Sequence, residues 1–391
     1  MTKTKQHPRT LIVNPHVGGH TAFYLSLIVE AHVGTNPLIY APLNNPEILN
    51  HFERRKLNPA DFEWIEPING RPTEILKHLS EVIPRLQPQQ LFFTYLDSFI
   101  EPLTSHVFPS PIPDLIGFWF HPYALDSHYR WMPPFDKRTR IRGTVHRSIR
   151  RNSLPLHRVF FLDPKAPAML HRMGYRGASH VMVDPGESRP RNTSSAAREQ
   201  LGLSGNRKIF LHVGSSERRK GLSLTLDVFL HLAENTQIAE QILLLRVGET
   251  RHLSQLDRYK MDELTARGIG HFVNRRVPNE EFEDYFCAAD FVLLPYRKFR
   301  YSSGILANAI YSKTPVIATA KGLIGATVQQ ERLGYTLSSL KVSHYAQTVL
   351  DALKQPTPAI TEESAAKRAP GVFVSDFQRA LVSPSLATIR Q

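Results

Sequence analysis

One cysteine, Cys287, in 391 residues leaves no intrachain disulfide and no Cys-rich metal cage. No stretch approaches the roughly 20 uninterrupted apolar residues of a membrane span. The opening MTKTKQHPRTLIVNP lacks the apolar centre of a signal peptide. No Asp-x-Asp occurs, and that pair is the usual hard-oxygen grip on a divalent cation beside a diphosphate. The phosphate-loop pattern G-x-x-x-x-G-K-[ST], the G-x-S-x-G elbow and the H-E-x-x-H pair are also missing. So is any helix-turn-helix, zinc-finger or aromatic-rich sheet pattern, which makes a nucleic-acid reader an unfavoured class. These absences predict a soluble, cytoplasmic, metal-independent protein.

Apolar residues make up 41% of the chain and charged residues 21%, an ordinary globular composition. The length fits two or three domains. Lys plus Arg is 48 against 35 Asp plus Glu, a net charge of +13. Over half of that surplus lies in Lys137–Arg151, which carries seven basic residues and no acid. Such a patch suits nucleic acid, an anionic membrane surface or a phosphate-bearing ligand. As a helix, the segment places Ile141, Val145 and Ile149 at i, i+4 and i+8, with Arg138, Arg142, Arg147, Arg150 and Arg151 around them. A basic amphipathic helix can lie on an anionic membrane. The alternative is that the stripe packs into a core and the arginines are solvated.

Short apolar runs recur at Leu11–Val13, Pro37–Tyr40, Leu91–Thr94, Leu115–Phe120, Arg158–Leu162 and His180–Val183. They continue at Ile209–Val213, Ile242–Val247, His271–Val273, Phe291–Leu294 and Pro315–Thr319. Near-continuous apolar runs fit parallel strands covered on both faces. Helical periods lie between them: Leu222, Leu226, Phe229 and Leu230 fall at i, i+4, i+7 and i+8. The alternation predicts an α/β fold of two doubly wound, Rossmann-like domains facing a central cleft. A Pro-, Gly- and Ser-rich stretch, Asp184–Ser204, marks the boundary. The expected division is 1–190 for the acceptor side and 200–370 for the nucleotide side. A tail, 371–391, packs back on the N-terminal domain.

The segment IFLHVGSSERRKGLSLTLDVFL, Ile209–Leu230, runs from a strand through Gly214 to Arg219, Lys220 and an amphipathic helix. A glycine at a strand exit lets backbone N–H groups approach a phosphate, and Arg219 and Lys220 add cations. Equally, this is a solvated basic loop before a helix. Downstream, Ser302, Ser303 and Gly304 open another helix, as an anion site or as a plain cap. His121 follows an apolar strand, and His20 lies beside Gly18 and Gly19. Each is either a ligand contact or an ordinary loop histidine. Asp97, Asp126 and Asp163 read as caps or turn residues.

VGSSERRKG, LLLRVGE, FVNRRVPNEEFEDYFCAADFVLLPY and ANAIYSKTPVIAT occur in order. Together they resemble the C-terminal domain of the retaining GT-B glycosyltransferases of family 4, which use nucleotide sugars. The likeness covers about residues 205–340. It extends more weakly to HVGGHTAFYL, His16–Leu25, similar to that family's glycine loop, and to FWFH, Phe118–His121, similar to its strand-end histidine. FFLDP at Phe160–Pro164 and VDPGE at Val183–Glu187 sit where the family has interdomain turns.

The resemblance implies a hexosyltransferase that takes a UDP- or GDP-sugar and no other cofactor, and retains anomeric configuration. Its acceptor would be a glycan, a lipid-linked molecule or a small molecule. It implies donor contacts at Gly214, Arg219, Lys220, Ser302, Ser303, Gly304 and Asn308. On the acceptor side it implies Gly18, Gly19 and His20, with His121 as the catalytic group. The sequence departs from the family where it matters. The E-x7-E glutamates fall at Arg300 and Asn308, and the arginine that often follows the loop glycine is Ser215. A second expectation is therefore a catalytically inactive protein of the same fold that binds a nucleotide sugar or scaffolds a biosynthetic complex. The basic segment would place an active enzyme peripherally on an anionic membrane.

Overall fold

Strand β1 (Thr10–Val13) is buried along its whole length, as its unbroken apolar sequence demands. It begins a parallel sheet with β2 (Leu38–Tyr40), β3 (Glu63–Ile65), β4 (Gln90–Phe93), β5 (Asp114–Phe118), β6 (Leu156–Phe161) and β7 (Ala178–Val181), in the order β3-β2-β1-β4-β5-β6-β7. A second parallel sheet contains β8 (Lys208–Val213), β9 (Ile242–Val247), β10 (Gly270–Val273), β11 (Phe291–Leu294), β12 (Val316–Thr319) and β13 (Gly334–Leu337), in the order β10-β9-β8-β11-β12-β13. This computed structural model describes residues 8–18, 20–125, 137–187, 192–203, 206–250, 253–298 and 300–383.

The chain divides into two compact units, residues 1–183 with 373–391, and residues 184–372. Both sheets reverse direction of growth beside their first strand, between β1 and β4 and between β8 and β11. In open α/β sheets ligands bind at the carboxyl ends of strands flanking such a point. Two edge strands, β3 and β13, were not expected from sequence. All their residues but the buried Leu337 are at least partly exposed, so they need no continuous apolar run to form.

In the second unit, helix Leu222–Leu232 buries Leu222, Leu226 and Phe229 with Phe210, Phe291 and Tyr345. In the first unit, Phe373 and Phe377 of helix Pro370–Val382 join Phe92, Phe118 and Phe160 in one core. Arg158 Nη1 donates to the carbonyls of Ala380 and Ser383, closing off the end of that helix.

Helix Lys137–Arg150 settles the fate of the apolar stripe. Ile141, Val145 and Ile149 are buried, at 6%, 0% and 2% exposure, in a core shared with Leu103, Trp119 and Leu154. Insertion of that stripe into a membrane is therefore not available to the folded unit. Arg147 and Arg150 face solvent and Arg142 is half-buried. The side chain of Arg138 lies outside the described residues, as do Gly19 and Asp126.

Candidate functional site

The second unit gathers its polar groups where β8, β9 and β11 end. Gly214 follows β8 with φ of 108°, a conformation that favours glycine. Its N–H donates to Val247 O at 2.8 Å. An added Cβ there would lie 2.2 Å from Lys220 Nζ. The lysine ammonium thus occupies the space that the missing side chain leaves. It has no ion pair or hydrogen bond among the described residues. Burial first, and then the neighbouring Arg219, push its pKa down to about 8 against the opposing effect of Glu217, with a lesser push from Arg246. Gly221, at φ of 75°, ends the short 3-10 turn Arg218–Lys220, and a Cβ there would strike Pro295 O at 2.4 Å. Two glycines therefore let the loop fold tightly over the strand ends.

Arg219 is held differently. Its Nε lies 2.6 Å from Glu217 Oε2, and its guanidinium stands 5.9 Å from the centre of the Tyr296 ring. Ser215 Oγ donates to Glu217 Oε1 at 2.9 Å. Burial raises the Glu217 pKa, but Ser215, Arg219 and Lys220 together outweigh it and hold the carboxyl below its ordinary value. Arg219 therefore already has a counter-ion, whereas Lys220 does not.

Beyond β11, helix Gly304–Tyr311 begins at Ser303, and no side chain caps it. Ser302 Oγ donates to Asp184, and Ser303 Oγ to the buried Tyr296 hydroxyl at 3.3 Å. Both serine hydroxyls are thus engaged, which leaves the first N–H groups of the helix as its donors toward an anion. Asn308 is 2% exposed. Its Oδ1 accepts from Glu187 N at 2.8 Å, and its Nδ2 donates to Gly304 O at 2.9 Å. Its amide ties Glu187 to the helix and is not presented to a ribose. Arg300 is exposed, and its carbonyl accepts from Leu323 N at 2.9 Å.

In the first unit His121 lies just beyond β5. Asp97 Oδ1 accepts the His121 backbone N–H at 2.7 Å and stands 3.1 Å from His121 Nδ1. Asp97 Oδ2 accepts Phe120 N–H at 3.0 Å, and Tyr95 Oη is 3.3 Å from His121 Nδ1. The imidazole is about one-third exposed and the carboxylate almost covered. Gly18 and His20 lie beyond β1, on the other side of the switch point. His20 O accepts from Tyr24 N at 2.9 Å at the start of helix Thr21–Ala31. A Cβ at Gly18 would meet nothing within 4 Å, so no neighbour in the described residues demands the glycine. Among the described residues no group of three or more His, Cys, Asp and Glu is placed to hold a metal ion, and no helix is long and apolar enough to cross a membrane.

Residues 207–355 match the family Glycosyl transferases group 1. The chain has the GT-B fold. It is similar to sucrose-phosphate synthase from Thermosynechococcus elongatus, with 16% identity, a TM-score of 0.64, and 98% of this chain and 96% of that one covered. It is similar to HepE of Anabaena, solved in complex with UDP and glucose, at 15% identity and a TM-score of 0.68 over 97% and 100% of the two chains. The same identity and TM-score hold for WaaG, a glycosyltransferase involved in lipopolysaccharide biosynthesis, over 96% and 100%. A comparison with curated proteins found no significant match. The family match, which spans the loop of Gly214 and Lys220, supports a sugar-transferring domain.

Two residues escape a reading of the sequence alone. Asp97 reads as a turn residue because its partner, His121, is 24 positions away and is brought to it only by the pairing of β4 with β5. Arg246 is hidden inside the apolar run of β9, where a single charge looks like an exposed strand position. It is 0% exposed.

Proposed function

We propose that the chain is a glycosyltransferase that moves a sugar from a nucleoside diphosphate sugar to an acceptor, with retention and without a metal ion. The observation that carries this reading is Lys220. Its ammonium is buried over Gly214, lacks a counter-ion and sits within the matched family segment. Keeping a partly buried cation unpaired is costly, and an arriving diphosphate repays that cost with a charge-assisted contact.

Chemistry at the anomeric carbon requires the diphosphate to leave with its negative charge. Lys220 and the uncapped start of helix Gly304–Tyr311 neutralise that charge as it develops. Arg219, shared with Glu217, contributes less. On the acceptor side Asp97 fixes the ring of His121. An Nδ1–H donated to Asp97 leaves the lone pair on Nε2, ready to accept from a sugar hydroxyl. HepE, solved with UDP and glucose and separately with UDP-glucose, makes a UDP-sugar the first donor to test, with a GDP-sugar next. The acceptor side is proposed to take a glycan, lipid-linked or small sugar. The exposed Arg147 and Arg150 offer an acidic acceptor or an anionic surface an electrostatic contact.

A second reading rests on Asn308. With that amide consumed inside the protein and Arg300 in the other position, the two glutamates of the resembled family have no replacement. A binder without turnover would look the same at Gly214 and Lys220. Calorimetric titration with UDP, GDP and ADP, followed by turnover with the matching sugars, separates the two. Transfer or slow donor hydrolysis supports the enzyme; tight binding with no turnover in any acceptor mixture supports the binder.

A further inference from the structure

Arg246 lies near the carboxyl end of β9, between β8 and the edge strand β10. Strand β9 is otherwise aliphatic, Ile-Leu-Leu-Leu-Arg-Val, and all six residues are buried. In this setting a guanidinium needs either a carboxylate or a reason to lack one. Arg246 makes no ion pair among the described residues. Its Nη2 donates to Gly214 O at 3.0 Å and to Glu249 O at 2.9 Å, and its Nη1 reaches Asn274 Oδ1 at 3.5 Å. Its Nε has no partner among the described residues. One side chain thus holds the segments that follow β8, β9 and β10.

Its neighbour across the strand pair adds no negative charge. The residue beside it in register on β8 is His212. That ring is buried, its Nδ1 is unpartnered, and burial chiefly holds its pKa down at about 4, so it is neutral. Burial likewise lowers the Arg246 pKa to about 10, which still leaves it charged at neutral pH. Lys220, above Gly214, senses it as a like charge. Two cations therefore flank one glycine; neither makes an ion pair among the described residues, and Glu217, which pairs with Arg219, acts on Lys220 alone of the two.

We propose that Arg246 is a positioning residue for the donor diphosphate: a fixed positive charge beneath Gly214 that both shapes the phosphate loop and supplies field to an anion bound above it. The proposal rests on the reading of Gly214 and Lys220 as the diphosphate site. It explains the missing acid, because a carboxylate partner would cancel the field. It also explains the two carbonyl contacts. They turn the oxygens of Gly214 and Glu249 inward, away from an arriving anion.

The test uses Arg246→Met and Arg246→Gln, which fill the volume without the charge, and Arg246→Lys, which keeps a charge but loses the fork. Thermal melting first establishes which variants fold. Binding is then measured by calorimetry for whichever of UDP, GDP and ADP the wild type prefers, for its nucleoside, and for inorganic pyrophosphate. The expected result is a loss of about 10-fold or more in diphosphate and pyrophosphate affinity in the neutral variants. Nucleoside affinity stays within about twofold, and Arg246→Lys recovers part of the loss. Unchanged diphosphate affinity in a folded neutral variant overturns the proposal. So does an equal loss for nucleoside and diphosphate, which marks a merely structural arginine. Failure of every variant to fold, Arg246→Lys included, also counts against it. A wild type that binds neither pyrophosphate nor any of the three nucleotides overturns the diphosphate site itself, and the role of Arg246 with it.

Discussion

Lys220 puts its ammonium where Gly214 would carry a side chain, 2.2 Å from an ideal Cβ. The glycine and the lysine are therefore one device. Gly214→Ala must displace the lysine tip and also strain a backbone at φ of 108°, at a cost of about 1–2 kcal/mol. The expected outcome is a modest drop in melting temperature together with a loss of nucleoside diphosphate affinity, read by calorimetry.

Lys220→Ala and Arg219→Ala are expected to differ. Losing a charge-assisted contact costs about 1.5–3 kcal/mol, roughly 10-fold or more, and Lys220 has no other partner to keep it occupied. Arg219 is already paired with Glu217, so its removal weakens donor binding less. Steady-state turnover and donor affinity of the two variants check the order.

The pH dependence follows from the lowered pKa of Lys220, about 8 in the unliganded protein. Below that value the amine is charged and attracts the diphosphate; above it the charge is lost. Donor affinity is therefore expected to fall as pH rises through about 8 and beyond, with proton uptake on binding in that window. Lys220→Ala flattens this part of the profile. Isothermal titration in buffers of different ionisation enthalpy reads the proton count.

Asp97→Asn tests the first unit. The variant keeps an oxygen for only one of the two backbone N–H groups, of Phe120 or of His121, and loses the negative charge facing Nδ1. Turnover is expected to fall by about 10-fold or more, with binding of the nucleoside diphosphate unchanged. A parallel loss of both would make Asp97 a general structural residue.

Much of the architecture was legible in the sequence because buried parallel strands leave continuous apolar runs. Gly214 was legible as a loop residue because it ends the apolar run Ile209–Val213, and its φ of 108° is a conformation that favours glycine. Edge strands β3 and β13 were not, since exposure frees them from that pattern. The stripe Ile141, Val145, Ile149 shows the limit of periodicity: it reports one apolar face and not what covers it. Here the domain core covers it. Asn308 shows another limit, since its amide is spent on Glu187 and Gly304, contacts that depend on how residues 184–187 return to the helix.

Helix Lys137–Arg150 gives a direct contrast in stability. Ile149→Ala is expected to cost about 2–5 kcal/mol through the cavity it leaves. Arg147→Gln and Arg150→Gln, on the exposed face, are expected to change stability by less than about 0.5 kcal/mol. Urea denaturation of the three variants checks it.

The central claim is sugar transfer from a nucleoside diphosphate donor held by Lys220. Its most direct measurement is the release of nucleoside diphosphate from UDP-, GDP-, ADP- and dTDP-sugars by the purified chain, in excess EDTA, with and without sugar acceptors. Release from at least one donor, unaffected by EDTA and reduced about 10-fold or more in Lys220→Ala, is the predicted result. No release from any donor, or release that Lys220→Ala leaves unchanged, would contradict it; activity that appears only when Mg²⁺ or Mn²⁺ is restored would contradict its metal-independent form.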